Sequence, residues 1–121
     1  MIFKKEHELL RKTVRDFVER EMATYPDEVD EVGSLPKEVI AKLVKHKFIS
    51  TIIPKEYGGA GADYVSYAIV MEEISRRCAS TGTYITAASS LVALPLVNFG
   101  TKEQKEKYLR PLAEGKYIGC F

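Results

Sequence analysis

The stretch CASTGTYITAASSLVALPLVNFGT, residues 78–101, carries no charged side chain, although Arg76 and Arg77 precede it and Lys102 and Glu103 follow. A neutral run of this length either crosses a bilayer or lies at the centre of a protein core. A transmembrane helix needs about 20 predominantly apolar residues. Here Ser80, Thr81, Thr83, Thr86, Ser89, Ser90 and Asn98 interrupt the run, and only Leu91–Val97 is free of them, with Pro95 inside it. The run therefore reads as a core helix from Thr83 to Phe99, apolar in nearly every direction and so expected to be buried all round. Pro95 removes one backbone donor and predicts a kink.

The flanking segments need such a partner. Upstream, Asp63 is a good N-cap for a helix ending near Ala79, with Tyr67, Ala68, Met71, Ile74 and Cys78 as its inner face. Glu72 and Arg76, and Glu73 and Arg77, stand four apart and read as surface ion pairs worth about 0.2–0.5 kcal/mol each. Ser80-Thr81-Gly82 supplies the break before the neutral helix. Downstream, Thr101-Lys102-Glu103-Gln104 is a capping box opening a last helix with Tyr108, Leu109 and Leu112, which Pro111 and Gly115 close.

Toward the N-terminus, Leu10, Val14, Phe17 and Val18 recur at helical spacing between Lys5 and Met22. Ala23–Gly33 is acidic, lacks periodicity and contains Pro26, and reads as a surface loop. Pro36 suits a first helical turn, with Val39, Leu43, Ile40 and Val44 as the buried stripe and Ser34 as a candidate cap. Phe48–Pro54 reads as an extended connector or short strand, and Tyr57–Gly61 as a tight turn. The sum is one all-α domain, residues 1–121, of about five helices.

Composition excludes several classes. A net charge of +1 leaves no basic stripe for nucleic acid, because Asp27, Glu28, Asp30 and Glu31 offset Lys42, Lys45 and Lys47. Cys78 and Cys120 lack metal spacing and read as reduced thiols, Cys78 as a packing residue. His7 and His46 have no second ligand nearby in sequence, so no metal site is expected. Gly58, Gly59 and Gly61 fit neither phosphate-binding fingerprint. No Ser-His-Asp or Cys-His set is legible. The charged start Met1-Ile2-Phe3-Lys4-Lys5-Glu6 has no apolar leader core, which makes a cytoplasmic location the expectation.

Longer strings carry more. Pro54-Lys55-Glu56-Tyr57-Gly58-Gly59-Ala60-Gly61, then Tyr67 to Arg76, then Cys78-Ala79-Ser80-Thr81-Gly82, resemble the acyl-CoA dehydrogenase family in that order. Ser90-Leu91, Phe99 to Lys105 and Ile118-Gly119-Cys120-Phe121 extend the resemblance over essentially the whole chain, toward the short-chain, butyryl-CoA type.

The resemblance implies the N-terminal helical domain, an orthogonal bundle, of a flavoprotein that carries FAD and usually assembles as a homotetramer. It implies conversion of an acyl-CoA thioester to a trans-2-enoyl-CoA, with reoxidation by electron-transfer flavoprotein. The family's middle β-domain, C-terminal bundle and catalytic carboxylate have no counterpart here. A chain stopping at Phe121 is therefore expected to be an excised domain, inactive and without FAD by itself, and prone to self-association. By the family pattern Thr83, Tyr84, Ala87 and Leu91 line the acyl end of the pocket, and Phe121 starts the flavin-contacting segment. The run Thr86-Ala87-Ala88-Ser89 and the bulk of Tyr84 depart from the butyryl pattern and leave the acyl length open. Two alternatives stand beside this reading: a stand-alone helical interaction module, and a fragment of an acyl-CoA oxidase or flavin monooxygenase.

Overall fold

The computed structural model describes residues 3–121. Met1 and Ile2, where the charged N-terminal stretch begins, lie outside the described residues. Helix α1 spans Lys5–Glu21, α2 Tyr25–Val32, α3 Lys37–Lys45 and α4 Tyr64–Ser75. Helix α5 runs over Ala79–Phe99 and α6 over residues 102–113. A single 3₁₀ turn at Lys55–Tyr57 lies between α3 and α4. Among the described residues there is no strand, in keeping with an all-α domain.

Helix α4 is the middle of the stack, packed on α1 on one side and α5 on the other. Val14, Phe17, Leu43, Val70, Ile74 and Ile85 meet in the main core, and Ile53, Tyr57, Ala93 and Leu109 form a smaller one under α6. The caps expected from sequence are present. Asp63 accepts the Ser66 backbone N–H at 2.8 Å, and Thr101 and Gln104 close their reciprocal box at 3.2 and 2.9 Å.

Several expectations are corrected. The acidic segment is a sixth helix, α2, rather than a loop. Pro26 falls in its first turn, where a missing N–H costs nothing, Tyr25 and Val29 bury one face, and Gly33 closes it at φ 72°. Pro36, not Ser34, occupies the N-cap position of α3. Phe48–Ile53 is neither strand nor extended connector but a chain of turns with every residue buried. Its carbonyls are taken by the glycine-rich turn, with Ala60 N–H on Ser50, Ala62 on Thr51 and Gly61 on Ile53. Gly59 is required there, since a Cβ would lie 2.0 Å from the Ile53 carbonyl oxygen.

Of the inner face expected for α4, Tyr67, Met71, Ile74 and Cys78 do pack against the core, but the buried side extends away from Ala68. Ser66, Ile69, Val70, Glu73 and Ile74 are buried, while Ala68 is exposed. Glu73 is therefore no surface residue: it is 1% exposed. Its carboxylate meets Arg15 and Arg11 of α1, and Glu72 meets Arg11 at 2.6 Å. Arg77, expected to pair with Glu73, instead donates to the carbonyls of Met22 and Ala23, capping the end of α1. Helix α4 stops at Ser75, and Cys78 is already the N-cap of α5. Gly82 lies inside α5, not at a break, and a Cβ there would sit 2.0 Å from Ser75 Oγ, so it serves the close approach of α5 to α4.

Candidate functional site

Helix α5 is not buried all round. Thr81, Ile85, Ser89 and Ala93, each four residues apart, are all 0% exposed. Opposite them Thr83, Ala87, Leu91, Pro95 and Phe99 form an open line, with Leu91 44% and Phe99 87% exposed. A helix that uses its apolar surface on one side only leaves the other side for something else.

The two straight lines need an unusual winding. On a plain α-helix each four-residue step advances about 40° around the axis, so a line from residue 81 to 93 would swing about 120°. Over Ala87–Ala93 the helix is π-wound instead, and Leu94 N–H donates to the Ser89 carbonyl five residues back. A π turn takes an additional residue and so rotates the following side chains back into line. Pro95 lowers the cost of leaving the α register, since it has no N–H to supply to that register. The same pairing recurs in α6, where π winding over Lys105–Leu109 precedes Pro111.

Hydroxyl groups tie the helix down. Ser89 Oγ donates to the buried carbonyl of Ile49, Tyr67 OH meets Ser90 Oγ at 2.5 Å, and Tyr25 OH bonds Thr81 Oγ1. Burial pushes the Tyr25 phenol strongly upward, so it stays a neutral partner.

Thr83, Tyr84, Ala87 and Leu91 thus fall on one side of α5. Thr83 and Leu91 are exposed and Tyr84 and Ala87 half-buried. Burial also raises the Tyr84 phenol. Phe121 is 99% exposed. The tail leading to it crosses α5, since a Cβ on Gly119 would lie 3.2 Å from Ala88 Cα and 3.3 Å from Val92 Cβ. A cleft of about 250 Å³ between Val92, Leu96, Tyr108 and Tyr117 flanks that crossing.

Glu6, His7 and Asp63 place three ligand-type atoms within 4.8 Å of one another. The hydrogen bonds argue against a cation. His7 Nδ1 accepts the Lys4 backbone N–H at 3.0 Å, so Nε2 carries the proton and donates to Asp63 at 2.9 Å. That tautomer has no free lone pair for a metal. His7 ties the start of α1 to the cap of α4. Cys78 is buried. Burial pushes its thiol up, but hydrogen bonds from Thr81 and Tyr25 outweigh that and leave it below its ordinary value.

Residues 4–116 match the family model "Acyl-CoA dehydrogenase, N-terminal domain". The chain belongs to the acyl-CoA dehydrogenase family. It is 47% identical over 121 residues to the 3-(aryl)acrylate reductase of Clostridium sporogenes, covering 100% of this chain and 32% of that protein. It is 43% identical over 117 residues to the caffeyl-CoA reductase-Etf complex subunit CarC of Acetobacterium woodii, covering 96% of this chain and 31% of the relative. The butyryl-CoA dehydrogenase structure from Megasphaera elsdenii superposes with a TM-score of 0.86 at 32% identity, covering 98% of this chain and 32% of that one. The chain thus spans about a third of the length of these acyl-CoA dehydrogenase relatives. By length and composition α5 would suffice to cross a membrane. Its packing on α4 and its place in this family domain account for the same apolar content.

Sequence reasoning missed the buried Glu73, the His7–Asp63 tie and the Tyr67–Ser90 pair. Arg11 and Arg15, four apart on α1, were the available signal for a buried acidic partner.

Proposed function

We propose that this chain is the N-terminal domain of a longer FAD-dependent enzyme that oxidises an acyl-CoA thioester to its trans-2-enoyl-CoA. The observation that carries this reading is the open, straight line of Thr83, Ala87 and Leu91 on a helix otherwise locked into the core. In this reading the line walls the acyl end of the substrate pocket. Ala87 leaves room, Leu91 supplies apolar surface, and Tyr84 narrows one side. Excluding water there strengthens the interactions aimed at charge developing on the thioester.

The flavin, when bound, supplies hydride acceptance at the substrate's β-carbon. The residues present do not enclose such a group: Phe121 offers one exposed aromatic face at the end of the tail. Holding FAD and removing the α-proton fall to chain beyond this domain, so the domain alone is inactive and carries no FAD. Electron-transfer flavoprotein as acceptor, a homotetramer and a cytoplasmic location belong to the same proposal. The relative named as part of an Etf complex supports the first of these.

A second reading is favoured by the 47% identity to an arylacrylate reductase: the same site run toward reduction of an aryl-substituted enoate. The small side chain of Ala87 on the open face suits a ring. The test is the full-length protein. Purified, it is yellow, and acyl-CoA reduces an electron-accepting dye through it, while residues 1–121 alone are colourless and inert. Faster turnover with an aryl enoate and a reductant selects the second reading. Oxygen consumption selects an oxidase. A 121-residue gene product that binds a protein partner and no flavin overturns both.

A further inference from the structure

The π turn of α5 is held from outside. Residues 87–93 would gain ordinary hydrogen bonds by winding as an α-helix, and π winding is rare for that reason. Pro95 removes one of those bonds but does not set how the turn is aimed. The aim comes from two hydroxyls inside the turn. Ser89 is 0% exposed with its Oγ on the Ile49 carbonyl, and Ser90 Oγ lies 2.5 Å from Tyr67 OH on α4. Rewinding as α would turn both serines off their partners and leave a buried hydroxyl and a buried carbonyl unpaired, a penalty that opposes rewinding. It would also bring half-buried Val92 toward the place where Ala93 packs at 0% exposure against Ile53, Tyr57 and Leu109.

The consequence lies on the other face. Ala87 opens the π segment and Leu91 lies within it, so the winding decides whether Leu91 stays in line with Thr83 or swings aside. We propose that Tyr67, Ser89 and Ser90 are positioning residues: their hydrogen bonds hold the π turn, and the π turn keeps Ala87 and Leu91 facing the acyl group. The role in substrate selection rests on the acyl-wall reading above; the role in holding the winding does not.

The test uses the full-length enzyme with Ser89→Ala and the pair Tyr67→Phe plus Ser90→Ala, and Ser90→Thr as the variant that keeps a hydroxyl. The expected result is a KM for the longest accepted acyl-CoA raised about five-fold or more, with KM and kcat for the shortest within about two-fold. Ser90→Thr restores the wild-type profile. Thr13→Ala, which removes an exposed bond to the Leu9 carbonyl within α1, changes nothing. Crystal structures of the variants show residues 87–93 α-wound and Leu91 turned away from Thr83. Unchanged π winding overturns the proposal, and so does a KM raised equally for every acyl length. If the wild-type enzyme turns over no acyl thioester, the functional reading fails, and the crystallographic winding alone decides whether these hydroxyls hold the turn.

Discussion

Glu73 on α4 accepts two hydrogen bonds from Arg15 on α1, Nε to Oε2 at 3.0 Å and Nη2 to Oε1 at 2.8 Å. Arg11 adds a third at 2.9 Å. The Arg15 guanidinium, working against the cost of burial and helped by Arg11, holds the Glu73 carboxyl below the usual carboxylate range. A planar fork on a carboxylate fixes orientation as well as distance, so this contact sets how α1 lies on α4.

Glu73→Gln keeps the shape and removes the charge. It leaves Arg15, Arg11 and, at 3.7 Å, Arg76 facing a neutral amide, and since all three are partly exposed water recovers some of the loss. The expected cost is about 2–3 kcal/mol of unfolding free energy, read from urea denaturation. Arg15→Lys gives up the bidentate fork and is expected to cost about 1 kcal/mol. Equal stability of all three proteins would show that the packing of α1, not this ion pair, holds it in place.

Acid should unfold the domain through the same helix. The Ser66 backbone N–H first, and then His7, lower the Asp63 carboxyl to about 2, and Glu73 is lowered as well. A carboxylate depressed in the folded state contributes stability above its unfolded pKa of about 4 and loses it as pH falls toward the folded value. Thermal midpoints are therefore expected to hold from neutral pH to about pH 5 and to fall between about 4.5 and 2. Asp63→Asn, which still caps, should lessen the fall at the acid end; an unchanged acid limb would remove Asp63 from the account.

The turn after Ile53 is the steric prediction. Gly59→Ala places a methyl 2.0 Å from the Ile53 carbonyl oxygen, against backbone that four hydrogen bonds fix. A loss of about 3 kcal/mol or more is expected. Gly33→Ala, with open space around it but φ 72°, should cost only about 1 kcal/mol. Calorimetry of the two variants checks the order.

Ser50 predicts a gain. Its Oγ is buried without a hydrogen-bond partner, so Ser50→Ala removes an unsatisfied group and is expected to stabilise by about 1 kcal/mol. A destabilised Ser50→Ala protein would reveal a partner for that hydroxyl.

Five helices were legible because apolar spacing acts locally, and so were two caps, Asp63 and Thr101, whose side chains bond within their own first turn. Helix α2 was not, because Pro26 signals a break or a first turn with equal force, and only burial of Tyr25 and Val29 decides between them. Glu73 reads as a surface residue because its partners lie 58 and 62 positions away in sequence. The π winding of α5 leaves no trace in propensity; Pro95 hints at an irregularity, but the hydroxyl ties to Ile49 and Tyr67 are tertiary. The line of candidate site residues came from the family resemblance, and its straightness came only from the structure.

The most direct measurement is the acyl-chain dependence of KM for the full-length enzyme carrying Ala87→Phe. If the open face of α5 walls the acyl group, the bulky ring raises KM for the longest accepted acyl-CoA about ten-fold or more and leaves the shortest nearly unchanged, at unaltered flavin content. A KM that rises equally for all acyl lengths, or does not rise at all, contradicts the account.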